Sequence, residues 1–268
     1  MASGDLWVYG APGPGAQPVV SQVDPATLTR IRPVALPRVP ESFAGPPVTV
    51  TAGPGDSVWI GSCQTLLRVS AATGTTLARV RLPHGLAVDN ISVDPAGTTL
   101  YASAVHVVRG GVEGLVMLEY DARSGRQLAA ASGGLIHDSV AGAALTAVPG
   151  GVWVSFRTGM LGLTIHLRRH GLAMTAPPGP HIALTPAGLF HWAMGATTIY
   201  GGGALWLANG GGWVACISPR SGRARAAERM PSSRGLISLL EAEGATHHVI
   251  AAVDQGLIQV TPPGRCWH

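Results

Sequence analysis

A short phrase recurs six times along this chain: a glycine-containing turn, a strand with a bulky residue near its start, and a second strand ending in a tight turn. The bulky residues recur about every 42 to 53 residues, at Trp7, Trp59, Tyr101, Trp153, Trp206 and Ile250. Strand repeats of about this length are typical of a β-propeller, in which each repeat forms one blade. The sequence therefore predicts an all-β chain, a β-propeller of antiparallel four-stranded blades, with six blades visible.

The third repeat shows the expected blade most clearly. Its segments are strands at 91–93, 100–105, 115–120 and 127–131, with turns at 94–97 and 121–125. The Asp or Ser that opens the turn before the fourth strand can accept a backbone N–H, and the Gly that closes it supplies the positive φ that such a turn needs. The recurring Trp is interpreted as packing between neighbouring blades, because an indole buries a large apolar surface and its N–H needs only one partner.

The repeats predict one propeller domain over residues 1–268. Its blades are expected at about 4–38, 46–83, 90–132, 142–176, 195–229 and 235–268. The first repeat opens at what corresponds to the second strand of a blade, and the last contains the first three strands, including a strand at 236–242. A propeller closes its ring by completing a blade from both termini, so we expect further residues upstream: a strand, an export signal and, if that part is long enough, a seventh blade.

Composition narrows the function classes. Hydrophobic residues make up 46% of the chain and charged residues 12%, which argues against disorder. All 18 basic residues are arginine, so mechanisms that use a lysine nucleophile or Schiff base are excluded. The arginines are scattered rather than gathered into a basic stripe, so nucleic acid is not an expected partner. No apolar run is long enough for a transmembrane helix. We also expect the protein to be a monomer.

The chain has three cysteines, Cys63, Cys216 and Cys266, which are far apart in sequence. They do not have the spacing of a zinc site. Two interpretations stay open: buried free cysteines in strands, or one disulfide between Cys216 and Cys266 in neighbouring blades.

The phrase from Ile91 to Ala102, followed by the turn from Asp121 to Gly125, resembles the YVTN-type repeat of bacterial propellers. That family is related to the quinoprotein-like (PQQ-like) and NHL propellers, and the resemblance extends from about Gly4 to Gly264. It implies a secreted, periplasmic or cell-surface protein that acts as a binding or scaffold module. Because this sequence shows no export signal, such a signal is expected outside it.

Two groups of enzymes are included in this resemblance, and each requires particular residues for its activity. Quinone-dependent dehydrogenases carry a docking tryptophan shortly after each glycine turn, whereas Gly74, Gly125 and Gly222 are followed by no tryptophan. PQQ is therefore not expected, and no cofactor is implied, although a divalent metal stays open. Streptogramin lyase propellers use acidic residues in a strand phrase, and the corresponding strands here lack carboxylates.

A binding site is expected on the loops that join the last strand of one blade to the first strand of the next, since these loops gather at one mouth of the central channel. The predicted loops are 38–46, 83–90, 132–142, 176–196 and 229–236. Their candidate ligand-binding residues are His84, Asp89, Asn90, His137, Asp138, His191, Trp192 and Arg234. Imidazoles beside carboxylates suit acid–base chemistry or divalent-metal binding, but solvated loop residues would show the same pattern.

Two main functional hypotheses follow. The first is a non-catalytic module, secreted or in the cell envelope, that binds a protein, peptide or glycan on this loop face. The second is a lyase or hydrolase for a small molecule at the channel mouth. It would use His84, Asp89, His137, Asp138 and His191 as acid–base groups or metal ligands. A purely structural repeat domain within a longer protein is a third reading.

Overall fold

A computed structural model provides the structure of the chain. It describes residues 5–10, 17, 19–24, 26–36, 48–108, 111–132, 144–158, 161–168, 197–208, 213–220, 224–229, 236–243, 248–253, 256–260 and 266. The chain divides into two compact units, Met1–Ser139 and Val140–His268. In the described part of each unit there are three antiparallel sheets, and strands that follow one another in sequence are also neighbours in the sheet.

The first unit contains sheets 1 to 3. Sheet 1 consists of β1 (Leu6–Gly10), β2 (Val19–Val23) and β3 (Arg30–Ala35). Sheet 2 consists of β4 (Thr49–Ala52), β5 (Ser57–Ser62), β6 (Thr65–Ser70) and β7 (Thr76–Arg81). Sheet 3 consists of β8 (Leu86–Val93), β9 (Thr99–Val108), β10 (Gly111–Asp121) and β11 (Gln127–Ser132).

The second unit contains sheets 4 to 6. Sheet 4 consists of β12 (Ala144–Val148), β13 (Gly151–Thr158) and β14 (Leu161–Arg168). Sheet 5 consists of β15 (Thr197–Gly201), β16 (Ala204–Ala208), β17 (Trp213–Ile217) and β18 (Ala224–Arg229). Sheet 6 consists of β19 (Leu236–Glu243), β20 (His248–Val253) and β21 (Gly256–Val260).

Burial distinguishes the inner strands from the outer ones. All six residues of β5 are buried, as expected for a strand covered on both faces. The outer strands β3 and β7 alternate between exposed and half-buried residues and carry arginines. Pro33 lies in β3, where a residue without an N–H is tolerated because β3 is the edge of its sheet.

The turns before the fourth strands have the predicted chemistry. Gly74 and Gly125 have φ of 73° and 74°, the left-handed region that favours glycine. Their N–H groups donate to Ser70 O and Asp121 O, each at 2.8 Å. In sheet 1 the same bond runs from Leu28 N to Asp24 O at 2.8 Å, so Leu28, with φ of 56°, occupies the position of the glycine.

Apolar side chains fill the spaces between sheets 1 and 2, between sheets 2 and 3, and between sheets 4 and 5. Val20 and Leu36 of the first sheet region pack with Val58 and Ile60 of sheet 2. A second cluster joins sheets 2 and 3, and contains Trp59, Leu66, Leu82, Leu86, Val88, Ile91, Leu100 and Leu118. In the second unit, Trp153 packs with Leu205, Ala215 and Ile217. The interpretation of the recurring tryptophan as inter-sheet packing is confirmed for Trp59 and Trp153.

Two details refine the sequence prediction. Four strands are described in sheets 2, 3 and 5 and three in sheets 1, 4 and 6; the fourth strand expected after residue 168 lies outside the described residues. The expected loop at 83–90 is wrong over most of its length, because β8 begins at Leu86. The polar pair Asp89–Asn90 indicated a loop, but the strand continues through a bulge between Val88 and Asn90.

Candidate functional site

Three of the eight predicted ligand-binding residues belong to the part of the chain that the structure describes. They are His84, Asp89 and Asn90. The other five lie outside the described residues: His137, Asp138, His191, Trp192 and Arg234.

His84 and Asp89 have different environments. His84 is exposed in the connection between β7 and β8. Asp89 is only 5% exposed and sits at the bulge of β8, where Ser103 Oγ lies 3.3 Å from its Oδ2. The same hydroxyl lies 3.5 Å from the carbonyl oxygen of Asn90. The hydroxyl of Ser103 therefore contacts both Asp89 and Asn90. The sequence did not indicate Ser103 as a site residue because it lies in the middle of a strand.

The structure shows a recess in the first unit that the sequence did not predict. Its volume is about 560 Å³, and it lies between turns of sheets 2 and 3. Its lining consists of Gly53, Pro54, Gly55, Pro95, Ala96, Gly97, Thr98, Asp121, Arg123 and Ser124. In an antiparallel meander the first and third turns lie at the same end of the sheet, so these turns lie at the end opposite His84.

Asp121 fixes one wall of the recess. Its Oδ1 accepts hydrogen bonds from Ser124 N and Ser124 Oγ, each at 2.7 Å, and from Arg123 N at 3.2 Å. The hydrogen bonds from Ser124 are the main reason that the pKa of Asp121 lies below its usual value. Asp24 holds the corresponding turn of sheet 1 in the same way, through Ala26 N at 2.7 Å.

Asp94 fixes the adjacent turn of sheet 3, which Ala122 N joins through a hydrogen bond to Thr98 O at 2.9 Å. Its Oδ1 accepts from Thr98 N at 2.6 Å and Thr99 N at 3.0 Å, while Thr98 Oγ1 donates to its Oδ2 at 2.7 Å. Gly97 completes this turn with φ of 68°. The turn conformation is therefore held by its own side chains, which is the role that the notable Asp-Pro-Ala-Gly phrase indicates.

Arg68 of β6 ties the turns of the two sheets together. Its guanidinium donates to Ser57 Oγ at 2.9 Å, to Pro54 O at 2.9 Å and to Arg123 O in the next sheet at 2.7 Å. Burial, followed by the nearby charge of Arg123, lowers the pKa of Arg68. The three bonds give the recess a fixed shape, because both sides are attached to one guanidinium.

This cross-sheet contact recurs at equivalent positions, which we call the bridging row. Each position in the row lies directly opposite the recurring tryptophan: Gln22 opposite Trp7, Arg68 opposite Trp59, and Cys216 opposite Trp206. Gln22 Nε2 donates to Ala71 O of sheet 2 at 3.0 Å. Cys216 forms a disulfide with Cys266, which lies beyond sheet 6 in sequence.

The disulfide resolves the two interpretations of the cysteines. Cys216 and Cys266 are joined across 50 residues, with their Cα atoms 5.8 Å apart. Cys63 is free and buried, and burial raises the pKa of its thiol. One disulfide and one buried free thiol are thus both present.

Within the described part of the chain, no group of three or more His, Cys, Asp or Glu side chains is placed to hold a metal ion. No helix in the same part has the length and apolar character needed to cross a membrane.

Comparisons with known proteins identify the fold. No protein-family model matches the chain, and no curated protein matches its sequence. Among solved structures, it is similar to the Cps50 (Swd1) β-propeller domain of Myceliophteria thermophila, with 15% identity, a TM-score of 0.53, and coverage of 83% of this chain and 68% of that one.

Two other solved structures match over nearly the whole chain. The Pan2 WD40 domain of Neurospora crassa is 7% identical with a TM-score of 0.56, over 96% of this chain and 75% of that one. BamB of Moraxella catarrhalis is 14% identical with a TM-score of 0.52, over 97% of this chain and 67% of that one. At such low identity the likeness shows the fold alone, and the prediction is confirmed: this all-β chain has the β-propeller fold.

Proposed function

We propose that this chain is a non-catalytic propeller module that binds or scaffolds a protein, a peptide or a glycan. The observation that carries the proposal is the state of the polar groups around the recess. Asp121 and Asp94 are bonded to turn amides, and Arg68 to turn carbonyls. A surface with fixed polar groups suits recognition, whereas a general acid or base must exchange its proton with the ligand.

The recess offers one surface for recognition. Its volume of about 560 Å³ is comparable with that of ordinary ligand sites. Arg123 is exposed at its edge, where a guanidinium can donate to a carboxylate or a sugar hydroxyl. Backbone and side-chain oxygens of the turns supply acceptors. The connection between β7 and β8 that carries His84 is the second proposed surface.

The disulfide supports a location outside the cytoplasm. Disulfides persist in secreted and envelope compartments and are rare in reducing ones. The Cys216–Cys266 bond joins positions around sheets 5 and 6, so its reduction would affect the fold of the second unit. We therefore propose a secreted or envelope protein.

We also propose membership of the YVTN-type group of quinoprotein-like repeats. The support is the phrase at 91–102 together with the turn at 121–125, whose hydrogen bonds recur at 70–74 and 24–28. The proposal includes no quinone, because tryptophan is absent after Gly74, Gly125 and Gly222.

The test is a binding screen of the purified protein, with its disulfide intact, on panels of defined peptides and glycans. We expect saturable binding of a ligand that mass spectrometry recovers unchanged. If the recess is the site, Arg123→Ala should weaken binding about tenfold, as loss of a charge-assisted bond predicts. Arg79→Ala, which removes an exposed arginine from the edge strand β7, is the matched control and should bind normally.

Other outcomes would redirect the proposal. A ligand recovered with a broken bond would contradict a non-catalytic module and favour the lyase or hydrolase. Stabilisation by one divalent metal, lost in His84→Ala, would favour a metal-assisted site on the loop face. Binding that neither Arg123→Ala nor His84→Ala changes would exclude these two residues as contacts.

A further inference from the structure

The side-chain donors that line the recess differ in whether they are already used. Thr98 Oγ1 donates to Asp94 Oδ2, and Ser124 Oγ donates to Asp121 Oδ1, each at 2.7 Å. Arg123 is exposed, and its guanidinium has no hydrogen bond or ion pair with the described residues. Among the described lining residues, the side-chain donor group that stays available to a ligand is therefore a cation.

The backbone on both sides of this guanidinium is anchored. Arg123 N donates to Asp121 Oδ1 at 3.2 Å, and Arg123 O accepts from Arg68 Nη1 at 2.7 Å. The residue that offers the donor is thus held in place by the protein before any ligand arrives. Less conformational freedom is lost on binding, which favours affinity.

The charges around the recess favour a negative ligand. Asp121 is the acidic residue in the lining, and its pKa is lowered chiefly by the hydrogen bonds from Ser124, with a contribution from the charge of Arg126. Its own charge is therefore already opposed by the protein. Arg68 has its pKa lowered by burial and then by the like charge of Arg123. An anion bound at Arg123 would relieve the repulsion between these two guanidiniums.

The remaining lining is mostly small and apolar. Pro54 is half-buried, and Pro95 and Ala96 are exposed. An added Cβ at Gly55 would have no atom within 4 Å, so a ligand can approach the backbone there. A neutral sugar can bond to the turn oxygens but brings no charge to oppose that of Arg123.

We propose that the recess binds the carboxylate of an acidic ligand, with Arg123 as the contact for that carboxylate. This inference rests on the proposed binding function and names the chemistry of its ligand. A guanidinium matches a carboxylate through two parallel hydrogen bonds, and the prolines and Ala96 take the apolar part of the ligand. A peptide C-terminus and a uronic-acid sugar both carry such a carboxylate.

The experiment titrates the whole chain with two matched pairs of small probes. N-acetylleucine carries a carboxylate beside an apolar group, and N-acetylleucinamide has a neutral amide in its place. Glucuronic acid and glucose form the corresponding sugar pair. We expect the acid of one pair to bind at least about tenfold more tightly than its neutral partner, the effect of a hydrogen bond to a charged group. The acid should shift the amide resonances of Gly55, Ala96 and Ser124, and the pair that shows the preference identifies the source of the carboxylate.

Paired variants test the guanidinium. Arg123→Gln removes the charge but keeps the backbone N–H and carbonyl that hold the turn, so it should abolish the preference for the acid. Arg79→Gln makes the same change on the edge strand β7 and should keep the preference. Added salt should weaken binding of the acid more than that of its neutral partner, because salt screens exposed charges. If circular dichroism shows that Arg123→Gln does not fold, the salt dependence and resonance shifts of the unmodified protein decide.

Several outcomes would overturn this inference and leave the proposed function standing. They are equal binding of acid and neutral probe, a preference that Arg123→Gln leaves unchanged, shifts confined to residues outside the recess, and no binding of either acid. Failure of the proposed function gives different results: no member of the larger peptide and glycan panels binds, or the recovered ligand is chemically altered.

Discussion

The indole N–H of Trp59 donates a hydrogen bond to the carbonyl of Ala122, 63 residues later, at 2.8 Å. Trp59 belongs to β5, and Ala122 lies in the turn that follows β10, so this bond joins sheet 2 to sheet 3. Trp153 makes the equivalent contact from sheet 4 to Pro219 O of sheet 5, at 3.2 Å. Trp59 and Trp153 thus both fill an inter-sheet space and hold the next sheet's turn, whereas Trp206 Nε1 donates to Gly201 O within its own sheet, at 3.0 Å.

Replacing Trp59 by Phe tests the hydrogen bond from Trp59 Nε1 to Ala122 O. The ring keeps most of the packing, but Ala122 O loses its donor, so the free energy of unfolding should fall by about 1–2 kcal/mol. Urea denaturation measures the change. Hydrogen exchange supplies an internal control: amides at 121–126 should exchange faster, whereas those at 70–75 should not. Equal acceleration in both turns would indicate general loosening instead.

Leu28 occupies a turn position where the neighbouring sheets have glycine. It has φ of 56° and is 74% exposed, so its side chain contributes little burial against the backbone strain. Leu28→Gly should therefore stabilise the protein by about 0.5–1 kcal/mol, measured by thermal or urea unfolding. A loss of stability would show that the Leu28 side chain makes a needed contact.

Adding a side chain at Gly125 should lower the stability of the protein, whereas removing the Leu28 side chain should raise it. A Cβ there would lie 2.7 Å from Val80 Cγ2, and the backbone has φ of 74°. Gly125→Ala should destabilise the protein by more than the roughly 1 kcal/mol of backbone strain alone. Gly55→Ala is the matched control, because φ is 63° but no atom lies within 4 Å of the added Cβ. Equal losses in the two variants would exclude the steric contribution.

The disulfide should stabilise the second unit strongly. Joining residues 50 positions apart restricts the unfolded chain by roughly 4 kcal/mol in the chain-entropy treatment. The double variant Cys216→Ser, Cys266→Ser should unfold at a lower temperature than the oxidised protein, and reductant should lower the unmodified protein to the same midpoint. Cys63→Ser should leave the response to reductant unchanged. If the unfolding midpoint of the unmodified protein does not change when reductant is added, the disulfide is contradicted.

The Asp121 turn should make stability depend on acid pH. Its pKa is lowered in the folded state, so the carboxylate contributes stability above the unfolded value of 3.8, and this is lost as pH falls through the folded pKa. Asp121→Asn keeps an oxygen that can accept the turn amides but cannot titrate. Urea midpoints between pH 2 and 6 should therefore fall less steeply for the variant; parallel curves would contradict this assignment.

The sequence predicted best what depends on local conformation. The Asp and Gly of the turn at 121–125 specify its hydrogen bonds through local conformation alone. The repeated Trp identifies the strand that packs against the next sheet. The sequence prediction failed at Asp89, because a carboxylate inside a bulge looks like a loop residue when its buried partner Ser103 is unknown. The bridging row was missed because its partners depend on how sheets are placed, which no short spacing reveals.

The sequence also did not predict the candidate recess. Its walls come from turns at 53–55, 95–98 and 121–124. Of these, the sequence indicates a turn, with a structural role only, at 94–97 and 121–125. Arg68 looked like any arginine on a strand, and only the position of sheet 3 shows that it reaches Arg123 O. Among the predicted rim residues, the structure tests the surroundings of His84, Asp89 and Asn90, and the roles of all eight remain predictions.

Calorimetric titration of a ligand from the peptide and glycan panels tests the proposed function most directly. A binding module should release or absorb heat only until its site is filled, with one ligand per chain and no heat from later injections beyond dilution. Arg123→Ala should weaken that binding if the recess is the site, while Arg79→Ala should not. Sustained heat from excess ligand, with a chemically altered ligand recovered afterwards, would show turnover and contradict a non-catalytic module.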